Sequence, residues 1–477
     1  MNIPSRFAAW LLCAVSFSAT ALDLGNIPAG EISVYVKELD SGKIVESHRA
    51  DAAVNPASAM KLVTAYAAFR ALGQDYRWHT DWLGDGEIKD GTLSGNLYWA
   101  GSGNPVLQQE DLAVVQQQLR NAGVRNIEGG LVLDRSLWGS VPNSPDFAAD
   151  EGKSYMIPPD PNMLAYKVVW LMPERDSEGR VVVRTKPQLP EIPLDNRISI
   201  VPYAAAECSS LRRYMKAEYA VGVLRVSGRL PESCLGQEMF VNMLGAEEFA
   251  YRSFTNLWRW SGGQIADGLQ TGDTPPEARL LVRHFSPPLK DMLTEMNKHS
   301  SNLIARSVYL KLGGSEDVQT ALAQAETVVR RELALSGVDS SELVLENGSG
   351  LSRKERVTAE MLGQMLEKAY FSPFKEAFIR TLPIAGADGT LKDRLSAAGP
   401  SLRLKTGTLK NVRALAGYWL GEKPMAVVVI INSPNADYYL ESMDKLIESL
   451  VPKQPKPSAN PPEQPASAAV HNKPDML

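Results

Sequence analysis

A chain of 477 residues, 44% of them hydrophobic, is too long for one ordinary core and too apolar to stay unfolded, so two or three domains are expected. Its formal charge of -5 argues against a nucleic-acid partner, which needs a surplus of lysine and arginine, and the short basic pair Arg212-Arg213 reads as a solvated face.

The chain opens with Arg6, an apolar run from Phe7 to Phe17 and the small residues Ala19-Thr20-Ala21. That order predicts an export signal over 1–21, cleaved after Ala21, because the run is shorter than the roughly 20 residues a permanent membrane helix needs. The large residue before Cys13, Leu12, speaks against lipidation there. Only Cys208 and Cys234 then remain, and an even pair in an exported chain predicts a disulfide, worth roughly 3 kcal/mol in the chain-entropy model. No other segment is long and apolar enough to span a bilayer, so a secreted, periplasmic protein without a stable membrane anchor is expected.

Next, Glu31-Ile-Ser-Val-Tyr-Val-Lys alternates apolar and polar positions, Asp40-Ser-Gly-Lys turns the chain, and Ile44-Val-Glu-Ser returns it as a β-hairpin. Asn55-Pro56-Ala57 leads into a helix over Ser58 to Leu72. From about Trp78 to Gln264 short strand-like pieces alternate with Gly- and Pro-rich turns, among them Leu93-Ser-Gly-Asn-Leu-Tyr-Trp and Gly129-Gly-Leu-Val-Leu-Asp. Helical texture resumes over Leu289 to Lys311 and Glu316 to Leu335. Strands are expected at Leu402 to Thr408, Ala416 to Gly421 and Met425 to Asn432, with a closing amphipathic helix from Leu440 to Val451. From Pro452 the Pro, Ala, Ser and Gln content predicts a disordered tail over 452–477. The elements at the two ends can build one antiparallel sheet covered by helices. The expected architecture is therefore α+β: residues 22–75 and 268–451 form one discontinuous domain, and 76–267 form a β-rich insertion of one or two subdomains.

There is no Gly-x-Ser-x-Gly elbow, no His-Glu-x-x-His and no Cys/His cluster with metal-ligand spacing, and the five histidines stand in no telling context. A nucleophilic serine would thus need a base other than histidine. Ser58-Ala59-Met60-Lys61 supplies one, since residues three apart share a helix face and Lys61 Nζ can reach Ser58 Oγ. Burial and a neighbouring cation can hold such a lysine neutral, and a helix N-terminus favours developing negative charge. Taken alone the motif is weak, because Ser372-Pro-Phe-Lys375 and Ser442-Met-Asp-Lys445 match it too. Ser300-Ser301-Asn302 is a second element, and its Ser-x-Asn pattern recurs at Ser94, Ser102, Ser433 and Ser458. Lys405-Thr406-Gly407-Thr408 is the third, and no other Lys-[Ser/Thr]-Gly triplet occurs. There Lys405 would supply a cation and Gly407 a close approach of substrate backbone.

In this order, on a helix start, an inter-helix loop and a strand, the three triplets resemble the set of penicillin-binding proteins and serine β-lactamases. The wider likeness is to the D-alanyl-D-alanine carboxypeptidase/endopeptidase family of low-molecular-mass penicillin-binding proteins. It runs through Asn55-Pro-Ala-Ser-Ala-Met-Lys61, Phe285-Ser-Pro-Pro-Leu289, Met296-Asn-Lys-His-Ser-Ser-Asn-Leu303, Asn347-Gly-Ser-Gly-Leu-Ser-Arg353, Pro383-Ile-Ala-Gly-Ala-Asp-Gly-Thr390 and Leu404-Lys-Thr-Gly-Thr408. A long insertion between the first two motifs is typical of that family. Ser301 departs from it, standing where most members carry Asp, and Gly101-Ser-Gly-Asn-Pro105 looks like a variant of a Gly-Gly-Asp-Pro turn.

The resemblance implies that Ser58 attacks the bond between two D-alanines with Lys61 as acylation base. Ser300 would relay the proton to the leaving amine, coupled to Lys61 and Lys405, while Asn302 holds the peptide amide. Lys405, Thr406 and Thr408 would anchor the terminal carboxylate, and the N–H groups of Ser58 and Thr408 would form the oxyanion hole. It further implies peptidoglycan stem peptides as substrates, β-lactams as covalent inhibitors, and no metal or cofactor. Two alternatives stand beside it: a serine β-lactamase, which in one class needs a water-positioning Glu that the insertion does not offer, and a non-catalytic peptidoglycan-binding module.

Overall fold

The two ends of the chain meet in one sheet. The computed structural model describes residues 22–201, 207–314 and 317–452; the expected export segment with its expected cleavage point, Cys13, and the tail from 453 onward lie outside the described residues. Strands Leu402–Leu409, Val412–Trp419, Met425–Asn432, Ile32–Glu38 and Ile44–His48 lie side by side in that order, antiparallel throughout. Met425–Asn432 reads as an unbroken apolar run because both faces of this sheet are covered. Successive side chains point to opposite faces. Ala426, Val428 and Ile430 pack in one cluster with Met60, Leu62 and Leu362, and Val427, Val429 and Ile431 in another with Met443, Leu446 and Ile447 of the closing helix Leu440–Leu450.

The helix after Pro56 starts as a 3-10 turn, Ala57–Ala59, and continues as Met60–Leu72. Every residue from Met60 to Phe69 is buried, so it shows no polar stripe and packs against helices Leu289–Lys298, Asn302–Leu312 and Val318–Leu335. The helical texture expected over Leu289 to Lys311 is interrupted at His299–Ser301. Ser300 takes a left-handed φ of 54°, which no helix tolerates, and Ser301 Oγ then accepts the Ile304 N–H to start the next helix.

The inserted portion carries a mixed five-stranded sheet, ordered Gln270–Thr271, Leu131–Asp134, Leu97–Ala100, His79–Gly84 and Arg279–Phe285. Its edge strands thus come from residues assigned above to the flanking domain. The expected strand Leu93 to Trp99 is split, because Asp85 accepts the Asn96 N–H at 2.6 Å and holds Ser94-Gly95-Asn96 as a turn. Two helices, Gln109–Asn121 and Ala246–Trp260, also lie in this stretch, which sequence texture described as strands and turns. Smaller sheets complete it, and Cys208 and Cys234 are joined with Cα atoms 5.1 Å apart. One connected apolar cluster runs from Trp82 and Trp99 through Leu112 and Trp258 to Val226 and Cys234. Among the described residues no helix is long and apolar enough to cross a membrane.

Candidate active site

Ser58 sits in the turn ahead of its helix, and neighbouring side chains fix that turn. Asn55 Oδ1 accepts the Ala57 N–H at 2.8 Å, and Asn55 Nδ2 donates to the Ser352 carbonyl at 2.9 Å. Asn55 and Asn432 exchange a reciprocal pair of bonds at 2.9 Å, tying the turn to the central strand. Two glycines allow backbone to press against it. A Cβ on Gly350 would lie 1.9 Å from the Ala57 carbonyl oxygen, and one on Gly407 would lie 2.5 Å from that of Pro56. Gly407 thus has a packing reason to be glycine: it lets its own strand approach the serine turn.

Lys61 is fully buried, and its Nζ lies 3.0 Å from Ser58 Oγ. It donates to Asn302 Oδ1 at 2.6 Å and to the Ser349 carbonyl. The Asn302 carboxamide is oriented by its own Nδ2, which donates to the Tyr155 carbonyl at 3.1 Å. Asn302 Oδ1 and Ser349 O can only accept, whereas a hydroxyl can also donate. A neutral amine, with two N–H bonds and one lone pair, therefore satisfies all three contacts if Ser58 donates to it. Electrostatics favour that state: burial holds the amine well below the usual lysine range, Lys405 pushes it the same way, and Glu355 opposes them.

The Ser349 carbonyl was missed by sequence reasoning, because a backbone acceptor leaves no side-chain signature. Its loop is held by the fully buried Glu355, whose Oε1 accepts the N–H groups of Glu346, Asn347 and Gly348 at 3.2, 3.0 and 2.9 Å. Burial raises the Glu355 pKa.

Lys405 is also fully buried; its Nζ donates to Ser300 Oγ at 2.9 Å and to the Thr406 carbonyl at 2.7 Å. The expected coupling of Ser300 to a lysine is direct for Lys405, while the bonds of Lys61 go to Ser58, Asn302 and Ser349. Thr406 Oγ1 donates to Thr390 Oγ1 at 2.7 Å, which brings in the threonine that ends the Pro383–Thr390 stretch and had no role assigned to it. Ser58, Ser300, Asn302, Thr406 and Thr408 line one cleft of about 520 Å³, while the two lysines lie behind its wall. The two other Ser-x-x-Lys matches are elsewhere: Lys375 stacks over Tyr370, and Lys445 pairs with Glu441 on the surface. Among the described residues no group of three or more His, Cys, Asp or Glu is placed to hold a metal.

Burial pushes the Lys405 pKa down to about 7. Between there and the ordinary value near 10.5, the unfolded chain holds a proton that the folded chain lacks. The resulting instability grows as pH falls from about 10.5 and is complete below about 7, on the order of 4–5 kcal/mol. Lys405→Met should therefore unfold at a higher temperature than the parent at pH 6. The gain should vanish by pH 10, where only the lost hydrogen bonds count. Equal shifts at both pH values would show that the buried charge carries no such cost.

A family model described as the D-Ala-D-Ala carboxypeptidase 3 (S13) family matches residues 14–450. The chain is 26% identical over 451 residues to the D-alanyl-D-alanine carboxypeptidase DacB of Haemophilus influenzae, covering 90% of this chain and 93% of that one. It is 28% identical over 432 residues to a D-alanyl-D-alanine carboxypeptidase of an Actinomadura species, covering 84% and 77%. The crystal structure of penicillin binding protein 4 from Haemophilus influenzae superposes with a TM-score of 0.69 at 24% identity, over 89% of this chain and 97% of that chain.

Proposed function

The chain belongs to the D-Ala-D-Ala carboxypeptidase 3 (S13) family and is a serine-type D-Ala-D-Ala carboxypeptidase, and from that premise we propose how its residues divide the reaction. Neutral Lys61 takes the Ser58 proton as Oγ adds to the carbonyl between two D-alanines of a peptidoglycan stem peptide. The oxyanion is held by the N–H groups of Ser58 and Thr408; Ser58 lies where helix donors lack intrahelical acceptors. Collapse breaks the peptide bond, and the departing nitrogen receives a proton from Ser300, which is hydrogen-bonded to Lys405 and regains the proton that Lys61 took from Ser58. The terminal D-alanine leaves, and water adds to the ester while giving a proton to the once more neutral Lys61, which hands it to Ser58 Oγ as the acyl product departs. Thr406 and Thr408 hydroxyls reach the leaving residue's carboxylate directly, and Lys405 acts on it through its field, from behind Ser300. Asn302 orients Lys61 in the free protein and is within the cleft to meet the substrate amide.

The observation that carries this reading is the fully buried Lys61 with its Nζ 3.0 Å from Ser58 Oγ and its other contacts on carbonyl oxygens. The same attack on a β-lactam leaves the acyl group on Ser58, so β-lactams act as covalent inhibitors, and D,D-cross-links fit as substrates alongside free termini. The signal-like N-terminus and the substrate support a periplasmic location for the mature protein. Incubation with benzylpenicillin followed by intact mass and peptide mapping is the test. One adduct on the Ser58 peptide is expected; folded protein with neither adduct nor penicillin hydrolysis would overturn the reading.

A further inference from the structure

A second cavity, about 1020 Å³, opens on the inserted portion, away from every residue that lines the catalytic cleft. It lies between helices Gln109–Asn121 and Ala246–Trp260 and the segment 186–191. Asn256 on the second helix bonds the Gln188 carbonyl and Glu191, so the walls are tied together. Its lining is mainly apolar, with Pro187, Pro190, Tyr251 and Leu257 among it, and Trp260 stands at the lip with 80% of its surface exposed. An indole left this open contributes nothing to the core beneath it, where Trp258 is fully buried.

The charges on this wall select among ligands. Lys186 pairs with Glu110 at 2.7 Å, Arg252 with Glu191 at 2.6 Å, and Arg259 with Asp267 at 2.5 Å. Three lining cations face three lining carboxylates, and Arg252 also holds Glu248 at 2.7 Å just outside, so no cation is left over to attract a phosphate or a carboxylate. The main walls are helices, which offer no unpaired strand edge for an extended peptide to extend. A neutral ligand with flat apolar faces and a rim of hydroxyl and amide groups fits both facts. Pyranose rings have that form: their C–H faces pack on an aromatic ring, and acetamido and hydroxyl groups meet polar side chains such as Asn256 and Gln109. We propose that this groove binds a neutral acetamido-sugar chain, the glycan of the polymer whose stem peptides the catalytic cleft hydrolyses. The choice of that polymer rests on the function proposed above, while the groove's charge balance and its exposed tryptophan do not. Holding the glycan raises the local concentration of stem peptides around Ser58.

The experiment uses the whole protein and its Trp260→Ala and Trp260→Phe variants, titrated with N-acetylglucosamine oligomers and followed by calorimetry. Saturable binding by the parent is expected, weakened at least tenfold in Trp260→Ala and largely restored in Trp260→Phe. The rate of D-alanine release from intact peptidoglycan, divided by that from a soluble D-Ala-D-Ala peptide, should fall severalfold in Trp260→Ala. No binding by the parent, or equal binding by Trp260→Ala, would overturn the proposal, as would a preference for stem peptides over the sugar. Benzylpenicillin labelling of the same samples keeps the two readings apart. Sugar binding without a Ser58 adduct would sink the peptidase mechanism and leave the groove, whereas an adduct without sugar binding would do the reverse.

Discussion

Ser58→Ala will form no benzylpenicillin adduct and will hydrolyse a D-Ala-D-Ala peptide at least about 1,000-fold more slowly than the parent, as expected when a nucleophile is removed from a unit that acts together. No other hydroxyl can take its place at Lys61, whose remaining partners are the carbonyl oxygens of Asn302 and Ser349. Ser300 is the other cleft serine beside a lysine, but its Oγ is paired with Lys405 and its backbone is held at a φ of 54°. The Ser58 side chain supports nothing beyond its contact with Lys61, so the unfolding transition should stay where it is. An adduct that moves to the Ser300 peptide in the variant would assign the attack to the wrong serine.

Gly350→Ala will lower the acylation rate on the order of 100-fold while leaving every catalytic side chain in the sequence. Gly350 has a φ of +81°, and a Cβ there would meet Ala57 O at 1.9 Å and Ser58 N at 2.7 Å. Those atoms are backbone and cannot rotate aside, so the serine turn must move. A displacement near 1 Å between reacting groups costs about that factor. Gly337→Ala is the control, because its φ of +71° carries the same strain with no atom within 4 Å of the added carbon. It should lose about 1 kcal/mol of stability and keep its acylation rate. Equal kinetics for the two variants would mean that the turn yields without cost.

The parts of this site that sequence reading reached are those in which a side chain does the chemistry at a fixed local spacing. Ser58 and Lys61 need only one helical turn, and Lys405 to Thr408 needs only a strand, so local periodicity exposes both. That Ser300 and Asn302 would join them could not come from spacing, since four other Ser-x-Asn matches exist; the order of the motifs along the chain decided it. What stayed hidden depends on contacts between distant segments. The Ser349 carbonyl, the three N–H groups gathered by Glu355 and the Thr390 hydroxyl act through backbone or through tertiary approach. Gly407 carries a packing role that its motif does not show, because a Cβ there would lie 2.5 Å from the Pro56 carbonyl oxygen. In the inserted portion, Leu112, Val115 and Leu119 do carry helical spacing behind a capping box at Gln108 and Asp111. The helix was masked by the glycine- and proline-rich turns on either side of it.

The pairing of Ile32 with Ile431 has a consequence for the order in which the molecule can be completed. About 400 residues separate the two partners, and a ribosome adding roughly 5–20 residues per second needs some 20–80 s to cover that interval. Throughout it the first hairpin is an open edge and the buried helix behind Ser58 has no sheet to lie on. The inserted portion can close its own core in the meantime, since nearly all its contacts are already synthesised. The site is therefore completed last: until Met425–Asn432 emerges, the turn that carries Ser58 lacks the strand to which Asn55 ties it.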